Sequence, residues 1–98
     1  MSRSLAFTSR AKDDVEEAYA WYDSQQVGLG AEFEGALASV LRLVKAMPEA
    51  GPIVHRDLRR LLLERFPYSL YYRLTDSTIE VRACLHQRRN PRTQRRRT

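Results

Sequence analysis

The chain has 98 residues, a formal net charge of +5 and a single cysteine, which points to one domain with one core and excludes an intramolecular disulfide. No apolar run reaches the length of a membrane span and no charged, apolar leader is read at the N-terminus, so the cytoplasm is the expected location and no membrane partner is expected. With only His55 and His86 beside Cys84, no Cys/His cluster has zinc-ligand spacing, and neither a metal nor a cofactor is expected.

Ser4 to Phe7 is apolar enough for a short first strand, and Thr8 or Ser9 then offers a helix N-cap. From Ala11 the apolar positions Ala11, Val15, Ala18, Tyr19 and Tyr22 recur at i, i+3/i+4. Asp13, Asp14, Glu16 and Glu17 crowd the early turns, where the helix dipole favours anions. Gly28 is the expected stop. After Gly28-Leu29-Gly30 the series Phe33, Ala36, Leu37, Val40, Leu41, Val44 and Met47 repeats the helical spacing until Pro48, which gives a helical hairpin joined by a short loop.

Pro48 to Pro52 reads as a linker, and beyond it the helical period gives way to period two. Arg59 to Arg65, Leu70 to Leu74 and Thr78 to Leu85 read as three strands, broken at Phe66-Pro67-Tyr68 and Thr75-Asp76-Ser77. The fold class expected is α+β, in the order β-α-α-β-β-β, with an antiparallel sheet that takes in the first strand. The helical hairpin covers one face of that sheet and the other face stays open. The stretch from Asn90, with Pro91 and Arg95-Arg96-Arg97, has no apolar anchors. One domain over residues 1–91 and a basic, flexible tail over 92–98 are therefore expected.

Charge is divided along the chain. Residues 1–54 hold five Lys/Arg against eight Asp/Glu, and residues 55–98 hold twelve arginines against four acids. A basic half made only of arginine suits bidentate binding of phosphate or carboxylate, whether on a nucleic acid or on an acidic protein segment, and otherwise serves as a solvated surface.

Alternation sorts the last two strands into two faces. Pairing about Asp76-Ser77 sets Leu70, Tyr72 and Leu74 opposite Ala83, Val81 and Ile79 on the helix side. The open face then collects Ser69, Tyr71 and Arg73 with Glu80, Arg82, Cys84 and His86. In that register Arg73 opposes Glu80 as a salt bridge and Tyr71 opposes Arg82 as a cation–π pair. His86 ends the last strand beside Arg88 and Arg89, where positive charge favours the neutral imidazole that serves as a general base. The alternative role for His86 is to cap the strand by hydrogen bonding to the following turn. Trp21-Tyr22 reads as packing rather than a ligand platform, and the acidic run of the first helix as a solvated face. Gly28-Leu29-Gly30 lacks the pattern of a phosphate loop.

Several of these pieces in this order resemble the RelE/ParE superfamily of toxins from bacterial type II toxin-antitoxin modules. They are the Ala11 to Trp21-Tyr22 helix, Gly28-Leu29-Gly30 with Phe33, the proline-bearing linker, Arg65-Phe66-Pro67-Tyr68 with Tyr71-Tyr72, and the ending His86-Gln87-Arg88-Arg89-Asn90-Pro91. The resemblance covers residues 5 to 91 and implies the fold derived above.

The superfamily contains ribosome-dependent mRNA endonucleases and inhibitors of DNA gyrase. RNA-cleaving members carry a basic residue directly after the FPY-like turn, a terminal arginine past the last strand, and often a tyrosine or histidine near it. Here Ser69 stands at the first position, Arg89 matches the second, and the third falls near Thr93 or Gln94. Cleavage through 2′-OH attack needs proton removal, charge stabilisation and leaving-group protonation, with only His86, Arg82 and Arg89 to share them. The resemblance is therefore to the ParE branch, and it implies a non-enzymatic inhibitor of DNA gyrase, bound as a hetero-oligomer by a cognate antitoxin. The alternatives are an mRNA endonuclease using His86, Arg82 and Arg89, with ribosome and mRNA as partners, and an inactive relative that only binds antitoxin. The residues expected to meet target or antitoxin are Tyr71, Arg73, Arg82, His86, Arg88 and Arg89.

Overall fold

The computed structural model describes residues 3–88. Strand β1 (Ser4–Phe7) leads into helices α1 (Ser9–Gln25) and α2 (Leu29–Ala46), followed by strands β2 (Ile53–His55), β3 (Leu58–Leu62), β4 (Tyr68–Leu74) and β5 (Thr78–His86). The strands form one sheet in the order β1-β5-β4-β3-β2. The α+β class and the helical hairpin agree with the sequence reading. Two features differ: β1 runs parallel to β5, which makes the sheet mixed, and a short strand β2 pairs antiparallel with β3. Parallel neighbours need a crossover, and the hairpin and meander together supply it.

Thr8 caps α1, its Oγ1 accepting the Ala11 N–H at 3.1 Å. The helix starts at Ser9, so its first turn holds no acid and the dipole does not account for Asp13, Asp14, Glu16 and Glu17. Glycine 28 begins the second helix rather than ending the first: it is the N-cap of α2, at a φ of 95° that L side chains seldom adopt. It brings no side chain to cap with, and Asp23 supplies one from α1, its Oδ1 accepting the N–H of Gly28 at 3.0 Å and of Gly30 at 3.2 Å. A Cβ at Gly30 would lie 2.9 Å from the ring and carbonyl of Tyr19, so the absence of a side chain lets α2 start against α1.

The main core lies between the hairpin and one face of the sheet. Phe33, Leu37 and Val44 of α2 pack with Tyr72, Ile79 and Val81 of the sheet. Tyr72 also fixes the linker: its hydroxyl donates to the Pro48 carbonyl at 2.7 Å and accepts the Gly51 N–H at 3.0 Å.

The expected register holds from Leu74↔Ile79 through Tyr72↔Val81 and then breaks. A β-bulge inserts Arg82, after which Tyr71 pairs with Ala83, Leu70 with Cys84 and Tyr68 with His86. Because side chains alternate strictly along a strand, one extra residue exchanges the two faces beyond it. Cys84 therefore joins the helix-side core, and Ala83 and Leu85 pack with Tyr71 on the other face. The sequence reading had these assignments reversed for Ala83, Cys84 and His86.

Candidate functional site

On the face away from the helices, Arg73 Nε donates to Glu80 Oε1 at 2.8 Å, as the sequence pairing predicts, and its Nη1 donates to Asp57 Oδ2 at 3.3 Å. Arg82 Nη1 donates to the same Glu80 oxygen at 3.2 Å. The hydrogen bond from Arg73 chiefly holds the Glu80 carboxyl below the usual carboxylate range. The same bond raises Arg73, with Asp57 adding to it. These two arginines are thus engaged by carboxylates of the chain itself.

The expected cation–π pair of Tyr71 with Arg82 does not form. The bulge moves Arg82 out of register, and Tyr71, only 2% exposed, is buried against Ala83 and Leu85. Ser69, opposite Leu62 and Leu85, is likewise 2% exposed. A polar but uncharged side chain suits so closed a position, where a lysine or arginine would have to leave its charge unsolvated.

His86 lies on the helix side. Its ring meets Tyr68 edge-on at 5.4 Å, and its Nδ1 accepts the Arg88 N–H at 3.2 Å. That bond to the following turn is the strand-capping role. Around it, α1, the β3–β4 turn and the end of β5 enclose a cleft of about 580 Å³ lined in part by Asp14, Glu17, Trp21, Tyr22, His86 and Arg88. Tyr22 belongs to the core edge, stacked on Phe33 at 5.6 Å, and partial burial raises its phenol. Trp21, 57% exposed, is a cleft wall and not the packing residue expected of it.

Two groups inside the cleft are shaped by burial. Asp14 Oδ2 accepts the main-chain N–H of Cys84 at 3.0 Å. Desolvation raises its carboxyl, opposed by that hydrogen bond and by Arg10 and reinforced by Glu17 and Asp13. The Cys84 thiol is pushed up to about 12, first by burial and then by the charge of Asp14.

The candidate residues thus fall into two groups. Arg73 and Arg82 share the open face, whereas His86 and Arg88 line the cleft on the other side. Arg89 lies outside the described residues, as does the basic tail. Sequence reasoning missed Asp14, Glu17 and Trp21 as parts of one site. Their i, i+3, i+7 spacing on α1 was the available signal. Among the described residues no three His, Cys, Asp or Glu side chains come together in a way that could hold a metal, and no helix is long and apolar enough to cross a membrane.

Residues 5–91 match the family described as the ParE toxin of the type II toxin-antitoxin system, parDE. Toxin ParE2, in two strains of Mycobacterium tuberculosis, is 27% identical over 92 residues, covering 93% of this chain and 88% of the relative. A solved structure of a chromosomal ParDE toxin-antitoxin system from P. aeruginosa superposes with a TM-score of 0.75 at 20% identity, over 86% of this chain and 95% of that one.

Proposed function

The chain belongs to the family of ParE toxins of type II toxin-antitoxin systems, and from that premise we propose that it inhibits DNA gyrase without catalysing a reaction and is neutralised by a cognate antitoxin in a cytoplasmic hetero-oligomer. The observation that carries the non-enzymatic reading is the separation of Arg82 from His86 by the sheet. RNA cleavage needs a base, an acid and a cation within reach of one phosphate. Here Arg82 is tied to Glu80 on one face, while His86 on the other accepts a turn N–H through Nδ1. The basic residue expected after the FPY turn is replaced by the buried Ser69.

Contact with target or antitoxin is assigned to Arg73 and Arg82 on the open face, to His86 and Arg88 at the cleft, and to Arg89. Tyr71 supports the open face from beneath. A gyrase supercoiling assay with purified protein tests the proposal. The expected result is inhibition or trapped cleaved DNA, with no cleavage of translated mRNA. Full supercoiling at toxin excess, together with cuts in translated mRNA that Arg82→Ala or His86→Ala abolishes, would replace it with the endonuclease reading.

A further inference from the structure

β1 covers only the first half of β5. Their pairing ends at Phe7↔Val81, and the Thr8 N–H to the Val81 carbonyl, at 3.0 Å, is the last main-chain bond on that side among the described residues. Beyond it the chain turns into α1, and side chains replace the missing strand. Thr8 Oγ1 donates to the Arg82 carbonyl at 3.3 Å and Asp14 accepts the Cys84 N–H at 3.0 Å. The N–H and C=O of one strand residue point the same way, and alternate residues share that direction. Since the Cys84 N–H faces outward to Asp14, the Cys84 carbonyl and both main-chain groups of His86 face outward too. They open onto the cleft, which three successive residues of β5, Cys84, Leu85 and His86, line together.

Unpaired strand edges are templates for another strand, and this one, with the Cys84 N–H held by Asp14 and the Cys84 carbonyl and His86 main-chain groups without a partner among the described residues, lies beside a cavity. The far wall, on α1, carries Trp21 and the acids Asp14 and Glu17, and Arg88 stands at the strand end. Edge groups supply main-chain affinity, and a neighbouring cavity selects side chains, which together define recognition by strand addition.

We propose that the second half of β5 receives an extended segment of the antitoxin as an added strand, with one large apolar side chain of that segment entering the cleft between Trp21 and Tyr68. The inference rests on the reading that an antitoxin binds this toxin, and it names the surface and the chemistry of the contact. An acidic residue of the segment meets Arg88 and a basic one meets Glu17. Single-stranded nucleic acid also stacks on aromatic walls, but phosphates would approach Asp14 and Glu17, and nucleic acid brings no strand-like main chain to the edge groups.

Trp21 is the sole tryptophan of the chain and reports occupancy directly. Peptides tiling the antitoxin encoded beside this gene are titrated against the full chain, with Trp21 emission and amide hydrogen exchange as readouts. One peptide is expected to shift the emission to the blue and slow exchange at the His86 amide. Arg88→Glu should weaken that peptide about ten-fold through its exposed charge. If the intact antitoxin binds and neutralises while Trp21 emission and the His86 amide stay unchanged, the strand-addition site is wrong and the toxin reading stands. If the antitoxin does not associate at all, the reading beneath it fails, and the inference fails with it. A blue shift produced by an oligonucleotide and by no peptide would assign the cleft to nucleic acid. One that appears with protein concentration alone would assign it to a second copy, and peptide binding that requires removal of residues 89–98 would assign it to the chain's own tail. Each of these three results overturns the proposal.

Discussion

The carboxylate of Asp14 on α1 accepts the main-chain N–H of Cys84 on β5 at 3.0 Å, across 70 residues of sequence. The bond sits two residues past the bulge at Arg82 and just past the end of β1. A side chain from the helix therefore takes the one outward N–H of Cys84 that a longer β1 would have met, and it anchors the bulged stretch of β5 to α1 at the mouth of the cleft. Helix and sheet are joined here by a polar bond at the rim of an otherwise apolar contact.

Loss of that acceptor leaves the Cys84 N–H half-buried and unpaired. Asp14→Ala is expected to lower unfolding free energy by about 1–3 kcal/mol, and Asp14→Asn by less, because its carbonyl oxygen still accepts. The pH dependence has a definite sign. Burial raises the Asp14 carboxyl in the folded state, against the pull of the Cys84 bond and of Arg10 and with the push of Glu17 and Asp13. The folded protein then holds this proton more tightly than the unfolded chain does. The stability contributed by the protonated group is complete below the ordinary carboxyl range and is lost as pH rises through the folded value. Urea denaturation from about pH 3.5 to 7 should show the wild-type advantage over Asp14→Asn shrinking with rising pH. An advantage that grows would contradict the direction of the shift.

Most of the architecture is legible in the sequence, and what is not traces to a few residues. The register about Asp76-Ser77 is correct through Tyr72↔Val81 because a short turn and strict alternation leave few alternatives. Arg82 carries no compositional mark of a bulge, since an inserted residue need only be tolerated, not special. Carrying period two through it put Cys84 and His86 on the wrong face and brought His86 together with Arg82, which the fold keeps apart. The strand β2 is equally silent, being three residues long with Ile53 and Val54 largely exposed. Trp21 was grouped with its neighbour Tyr22, yet adjacent helix positions diverge by about 100°, and only Tyr22 reaches Phe33 and Phe66.

The bulge has a chemical signature in the thiol. Cys84 is 1% exposed and its thiol is pushed up to about 12, so little thiolate forms at neutral pH. Alkylation by iodoacetamide at about pH 8 should proceed only as fast as the protein opens, and denaturant should accelerate it by orders of magnitude. Labelling of the native protein at the rate of a free thiol would place Cys84 on the open face after all.

Gly51 is the tightest point of the linker. A Cβ there would lie 2.8 Å from the Arg60 carbonyl and 2.9 Å from the Tyr72 hydroxyl. The Tyr72 side chain could yield, but the β3 main chain could not without disturbing its ladder. Gly51→Ala is expected to cost about 1–3 kcal/mol. Tyr72→Phe should cost about 1 kcal/mol or more by removing two hydrogen bonds. Thermal melts of the double variant decide which contact dominates. If it regains no stability over the additive sum, the carbonyl of Arg60 is the obstacle; full recovery would transfer the blame to the tyrosine hydroxyl.

The open-face network makes the opposite pH claim from Asp14. Glu80 is held low first by the Arg73 hydrogen bond, against burial as the next largest influence, with the charges of Arg73 and Arg82 adding to the lowering. The stability it contributes is present above the ordinary carboxyl range and is lost as pH falls through its folded value. Both partners are about one-third exposed, so solvent screens the pair, and a double-mutant cycle of Arg73→Ala and Glu80→Ala should give a small favourable coupling that shrinks in high salt. Glu80→Gln keeps an acceptor for Arg73 but cannot gain a proton, so it should flatten the acid limb of the stability curve while leaving the Asp14 dependence in place. If the acid limb is unchanged in Glu80→Gln, the network is an exposed contact without energetic weight, and Arg73 and Arg82 are free to meet an external anion.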